Sequence, residues 1–553
     1  MKIRVNKTTM ALVLILILGS YLRIAGISWG LPTTKYFHAA TFHPDEVETF
    51  NAMKSFKPSK LDLRIKTFLA TRGSAQIYAT AAWVKGASLI GAAKVSSSFD
   101  YFKANPGELV KLYVAGRSMS VFFGILTILL TYILTRLFFR DEKTALLSAL
   151  ILAVTPLHAI WSHYIGTDAM LTFEVCAIFI SCYYIITSGS ARSYIIAGLL
   201  AGFAGATKYS IAPVIIVPLL SHVLAGRRLA SREPVFLLLS CLAGFFIGNP
   251  YSFIDPAQFL RDLKWSSEIM TQMDAKSQVM DSFGSYPNLI WYLTIAPRYG
   301  FGIPLFLLFC AGIVYAASRR EKTDILFLSW ILCYYAFIAL TSPWQVMRWQ
   351  LPYLPFLCIL SARFIVAAVN NSNKLIKYGA VIFTSVVLLL TLFYTTAYIK
   401  TMTEKDIRDV SSEWIEQNIP EGSVIGSQCI YFWNPTIVMS QYWYKETEPF
   451  NIPQKKYKMI QVTEHLDMLN KLKPEYMILT DFEYHPLLKI KFLYPHPETY
   501  PFLLAIMDGK RYTLIKSFEK KPELFGIRPV NGYYPHEFRM AFPEIKIYKR
   551  NKK

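Results

Sequence analysis

Long apolar runs broken by short polar stretches fill the first four hundred residues of the chain. A run of about 20 apolar residues is the length an α-helix needs to cross the hydrocarbon core of a bilayer. Such runs fall near 8–27, 113–137, 144–163, 169–187, 193–208, 211–225, 234–250, 300–318, 323–341, 350–369 and 378–398, and they predict eleven membrane helices. After residue 399 the pattern shortens and becomes mixed. Asp406–Gln417 reads as an amphipathic helix, and Pro420-Glu421-Gly422 as a turn into a strand at Ser423–Gly426. Tyr476–Leu479 and Ile545–Tyr548 read as further strands. The expectation is a polytopic α-helical membrane body over 1–399 and a soluble α/β domain over 400–553.

Composition agrees with this division. Hydrophobic residues make up 53% and charged residues 17% of the 553 positions, and the mean hydropathy is +0.32. A disordered chain is excluded, and a purely soluble protein of this length would carry about 25% charge. The net charge of +21 admits two explanations, nucleic-acid binding or basic loops beside a membrane. Its distribution decides. The 399 residues before the division carry 35 basic and 18 acidic side chains, and the 154 after it carry 23 and 19. Within the body, Lys2, Arg4, Lys7, Arg136, Arg140, Lys143, Arg192, Arg227, Arg228, Arg232, Arg319, Arg320, Lys322, Lys374 and Lys377 flank alternate spans. All of them lie on one side if the N-terminus is cytoplasmic, as the positive-inside rule requires. The charge is therefore topological, no nucleic-acid partner is expected, and the C-terminal domain is placed outside the cytoplasm. The alternation holds only if residues 73–95 lie along the outer interface rather than span, and if 193–225 forms two short helices broken at Lys208-Tyr209-Ser210. The first apolar run lacks a small-x-small cleavage site and is read as an anchor helix rather than a signal peptide.

The chemistry is expected on the outer face. The outer loop 28–112 contains Phe42-His43-Pro44-Asp45-Glu46, two adjacent carboxylates suited to proton transfer or cation binding. Both are also favourable first-turn helix residues. Asp168 opens the fourth span at the outer boundary, where it fits a catalytic carboxylate or a helix cap. Lys208 sits at the break between two short helices, as a functional charge or one that snorkels to the interface. Arg348, flanked by Trp344 and Trp349, suits a phosphate partner or a helix anchor. Arg117 and Arg298 carry the same ambiguity. His158 and His163, five apart, do not share a helix face, so a metal pair is not expected. Six of the seven cysteines lie in spans, which leaves no disulfide framework. No CxxC, HExxH, GxGxxG or P-loop occurs.

In order along the chain, FHPDE, AGRSMSVFFGILTILLTYILTRLF, TPLHAIWSHYIGTDAML, AGLLAGFAGATKYSIAP and MRWQLPYLPFL resemble segments of the dolichyl-phosphate-mannose protein mannosyltransferases and the bacterial aminoarabinose transferases. These are membrane glycosyltransferases of the glycosyltransferase C (GT-C) fold. The resemblance covers about residues 8–400. It implies inverting transfer of a monosaccharide from a polyprenyl-phosphate carrier to a hydroxyl of a protein, lipid or glycan acceptor outside the cytoplasm. By position, Asp45 matches the catalytic base, Glu46 its acidic neighbour and Asp168 the second acidic position. Lys208 and Arg348 match the lipid-phosphate contacts, and His43, Arg117 and Tyr209 join them as expected substrate-binding residues. The family's Lys-Pro-Pro segment is missing, and either Lys66 or Arg72 is available to replace its lysine. No cofactor is required, and a divalent cation at the acidic residues is left open. A transporter or flippase is the alternative from another class; intramembrane charge and helix breaks fit it, but no repeated halves are visible. A transferase of whole oligosaccharides would need a Trp-Trp-Asp motif, which is absent.

Overall fold

The structure, a computed structural model, describes residues 6–32, 35–36, 38–60, 62–67, 69, 72–271, 287–342, 344–428, 433–439, 456–462, 465–484 and 499–552. Among the described residues, six helices are long and apolar enough to cross a membrane: Lys7–Ile24, Pro106–Phe139, Asp168–Thr187, Lys322–Thr341, Met347–Val369 and the one that begins at Lys374. The chain is an integral membrane protein. Shorter apolar helices, Glu142–Val154, Ala191–Thr207, Glu233–Gly248 and Ile303–Arg319, occupy other expected spans. A 3-10 stretch, Tyr209–Ile215, continues as the helix Ile216–Leu224.

Local signals set the helix ends. Asn6, Asp141 and Asn373 accept backbone N–H groups of the first turn, and Glu321 with Asp324 forms a reciprocal capping box. Small residues let helices approach closely: a Cβ at Gly202 would stand 1.9 Å from the Cys241 carbonyl oxygen of the neighbouring helix.

One expectation changes. The span read at 144–163 stops at Val154, because Pro156 has no N–H to continue the ladder and Thr155 before it is extended. A separate short helix, Pro156–Trp161, follows. Residues 73–95 hold a 15-residue helix, Ala75–Leu89. At 1.5 Å per residue it reaches about 22 Å, less than a bilayer core.

The C-terminal part builds one five-stranded sheet from β1 (Val424–Ser427), β2 (Lys458–Gln461), β3 (Tyr476–Thr480), β4 (Tyr512–Phe518) and β5 (Ile545–Arg550). The order is β2-β1-β3-β5-β4. β1 runs parallel to β2 and β3, whereas β5 is antiparallel to β3 and β4. β3 is buried on both faces, with Ile478 in one core and Met477 and Leu479 in the other. The expected strands are those at β1, β3 and β5. β2 and β4 were not anticipated, and most of β4 is exposed.

The body and this domain interlock. The helix Lys374–Thr403 crosses the expected boundary at 399. Val530, Tyr534, Phe538 and Phe542 pack into the core of the body. Tyr398 donates to the Phe538 carbonyl at 2.8 Å and Arg408 to that of Met540 at 2.8 Å.

The outer loop is pinned to the break at Lys208. Ser74 N donates to the Ala206 carbonyl at 2.8 Å, and Tyr209 N to that of Arg72 at 3.1 Å. Between them Gly73 has φ +138°, and a Cβ there would lie 2.6 Å from the Ala206 and Thr207 carbonyl oxygens. Gly73→Ala is expected to cost at least about 1 kcal/mol, read as a lower melting temperature of the purified protein.

Candidate functional site

The helix Pro44–Lys54 starts at the outer loop, with Asp45 and Glu46 in its first turn. Successive helical residues diverge by about 100° around the axis, so the two carboxylates face different surroundings. Glu46 turns inward and is completely buried. It forms a bidentate pair with Arg117, at 2.8 Å from Nε and 2.6 Å from Nη2. It also accepts from the Thr41 hydroxyl at 2.5 Å and from Ile165 N at 3.0 Å. Arg117, equally buried, donates Nη1 to the carbonyls of Ile27 and Trp29 at 2.6 and 2.7 Å. Burial raises the Glu46 carboxyl, but the guanidinium outweighs it and holds the group below its usual range. Glu46 and Arg117, expected in catalysis and substrate binding, thus lie within the protein and hold the loop in place.

Asp45 faces the other way, into a cluster of charges. Its Oδ2 lies 3.1 Å from Arg348 Nη1, and its Oδ1 accepts from Arg72 Nη1 at 3.4 Å. Burial works against its charge, but Arg348 and Arg72 win and hold its carboxyl far below the usual carboxylate range. Arg348 Nε also lies 3.7 Å from Asp168 Oδ2, and its guanidinium covers the Trp161 ring at 4.7 Å. Lys208 Nζ donates to Asp168 Oδ1 at 2.9 Å and sits 5.7 Å from the centre of the Trp349 ring. Asp45, Asp168, Lys208 and Arg348 are therefore brought together.

His43 is buried, stacked on Tyr164 at 4.4 Å between ring centres, and burial keeps its imidazole neutral with a pKa of about 4. Tyr209 accepts from Asn249 Nδ2 at 2.9 Å and borders a neighbouring cavity of about 520 Å³. Lys66, Tyr78, Tyr251, Gln258 and Trp265 also line that cavity. Of the two candidates for the missing lysine, Arg72 reaches Asp45 and Lys66 faces the cavity. Arg298 lies outside the cluster and donates to the Asn531 carbonyl at 3.1 Å.

One acidic group here was missed from the sequence. Glu537, from the C-terminal domain, has Oε1 3.3 Å from Arg348 Nε, and its Oε2 accepts from Met347 N at 2.6 Å. Nothing local marks it: it lies in a short helix, His536–Arg539, far along the chain.

Two histidines and a tail tryptophan have structural surroundings. His158 Nδ1 meets Arg23 at 2.6 Å, and His163 bridges the Ala25 and Ala159 carbonyls. Trp433 stacks on Phe482 at 5.1 Å and packs against the body. The tail aromatics Tyr431, Tyr442, Trp443 and Tyr444, and Cys429, lie outside the described residues. Among the described residues, no group of three or more His, Cys, Asp and Glu side chains is placed to hold a metal ion.

The site sets a carboxylate among cations where the helical membrane body meets the C-terminal sheet domain. The fold is shared with the oligosaccharyltransferase of Archaeoglobus fulgidus in its apo form, at a TM-score of 0.54 and 13% identity over 99% of this chain and 89% of that one. Residues 111–249 match the family described as Dolichyl-phosphate-mannose-protein mannosyltransferase. It is also 28% identical over 283 residues to the undecaprenyl phosphate-alpha-4-amino-4-deoxy-L-arabinose arabinosyl transferase of Pseudomonas aeruginosa (strain UCBPP-PA14), covering 48% of each chain. The chain thus spans about half the length of that relative. ArnT from Cupriavidus metallidurans, bound to undecaprenyl phosphate, aligns over 87% of this chain and 94% of its own at 13% identity and a TM-score of 0.48.

Removing one partner of a fully buried ion pair typically costs about 3–5 kcal/mol, because the other charge stays buried and unpaired. Arg117→Met is expected to lose this much, measured by chemical denaturation. Arg117→Met combined with Glu46→Leu is expected to recover part of it.

Proposed function

We propose that the chain transfers a monosaccharide from a polyprenyl-phosphate carrier to an acceptor hydroxyl on the outer side of the membrane. The observation that carries this reading is the placement of Asp45 beside Arg348 and Arg72, with Lys208 and Asp168 alongside. A base and several phosphate-binding cations share one site. The match to an arabinosyl transferase named for undecaprenyl phosphate supports this donor class.

In the proposed step Asp45 accepts the proton of the acceptor hydroxyl. The hydroxyl oxygen attacks the anomeric carbon from the face opposite the phosphate, which inverts its configuration. The bond from that carbon to the phosphate oxygen breaks, and its electron pair leaves with the lipid phosphate. Lys208, Arg348 and Arg72 stabilise the charge that develops there. Asp168 acts on Lys208, holding its ammonium in place. The cavity beside Tyr209 offers aromatic faces with amide and carboxylate groups, a surface suited to a sugar ring.

The N-terminus is assigned to the cytoplasm and the C-terminal domain to the outer side. Two features support this: the basic loops at the end of the helices away from Asp45, and the contact that brings Glu537 to Arg348. Carboxylates gathered at one rim, instead of at the membrane midplane, favour transfer over transport.

Asp45→Asn is expected to lower transfer from a labelled polyprenyl-phosphate sugar by at least about a thousandfold while the protein still inserts and folds. Near-normal turnover would remove Asp45 as the base. Uptake of the lipid-linked sugar into vesicles without turnover would favour the transporter instead. Lys208→Met is expected to weaken binding of polyprenyl phosphate by roughly tenfold, the scale of one lost charge-assisted hydrogen bond; unchanged affinity would remove its phosphate role.

A further inference from the structure

Arg348 is contacted by three carboxylates of different origin: Asp45 from the outer loop, Asp168 from a membrane helix and Glu537 from the C-terminal domain. Glu537 is nearly buried and connects the Arg348 guanidinium to the backbone of the same segment, through Met347 N. It is therefore aimed at the arginine and not at solvent. Its neighbours fix it there. Phe538 offers its carbonyl to Tyr398 of the body, and Met540 offers its own to Arg408 of the domain's first helix. Arg539 pairs with Asp481 at 2.7 Å at the end of β3 and lies 4.0 Å over the Tyr533 ring.

A guanidinium has five N–H donors in one plane, and a phosphate binds through the same donors that carboxylates use. Asp45 must remain beside the site as the base, and Asp168 is shared with Lys208. Glu537 is the carboxylate whose displacement leaves both of those arrangements intact. We propose that Glu537 is a positioning residue that occupies Arg348 until the lipid phosphate of the donor displaces it, so that donor binding loosens the C-terminal domain from the membrane body. This inference rests on the donor class proposed above.

Linkage makes the effect reciprocal: whatever Glu537 costs phosphate binding, phosphate costs the contact of Glu537. Glu537→Gln retains an oxygen for Met347 N and removes the competing charge. In the full-length protein in lipid nanodiscs, with undecaprenyl phosphate as the probe, Glu537→Gln is expected to tighten binding by about fivefold or more, the lower end of usual coupling between sites. Glu537→Asp, which keeps the charge, is expected to stay near the wild-type affinity. Undecaprenyl phosphate is expected to speed hydrogen exchange across residues 530–542 in the wild type and to change it much less in Glu537→Gln. A merely structural role for Glu537 predicts the opposite sign, with weaker binding in the Gln variant. Equal or weaker binding by Glu537→Gln, where the wild type binds, overturns this inference and leaves the donor reading standing. A wild type that fails to bind the probe overturns both.

Discussion

The buried pair between Glu46 and Arg117 is the contact from which the site is built. It joins the end of the first helix, the outer loop, the long helix Pro106–Phe139 and the turn at Ile165. Every donor on the guanidinium that the structure shows in use ends on an oxygen, and both Glu46 oxygens are shared. Such a pair contributes little net stability against an apolar substitute, but it admits only one arrangement of the four segments. That arrangement points Asp45 away from the interior. Without it, the orientation of the carboxylate toward Arg348 would have no fixed reference.

The cluster beyond Asp45 is balanced internally. Arg72, Lys208 and Arg348 each contact a carboxylate of Asp45, Asp168 or Glu537. An anion that enters must take Arg348 from Glu537, and its charge offsets part of the positive charge around Asp45. For the proposed transfer, the electrostatics thus favour an order in which the carrier phosphate binds before the acceptor hydroxyl is activated.

Much of this was legible in the chain. Apolar runs located the helices because a membrane demands length and hydrophobicity together. Asp45, Asp168, Lys208 and Arg348 stood out because charge at a membrane boundary is costly. Burial could not be read. Asp45 and Glu46 are chemically similar neighbours, and only the packing around the helix start separates a carboxylate that faces the cation cluster from one sealed in an ion pair. Arg117 was misplaced for the same reason. Glu537 had no signal at all, since its importance comes from a fold that returns the end of the chain to Arg348. β2 and β4 escaped because β2 is only half-buried and β4 is exposed through its middle, so neither strand carries a clear apolar alternation.

The proline that interrupts the third span has an effect beyond shortening it. Pro156 leaves the last carbonyls of the helix Glu142–Val154 without their usual N–H partners. Arg23 takes those of Leu152 and Ala153, and Thr395 takes that of Val154. A cation deep among apolar helices is here neutralised by the negative end of a helix and not by an acid. The first, third and last of the expected spans are in effect soldered together by a broken backbone.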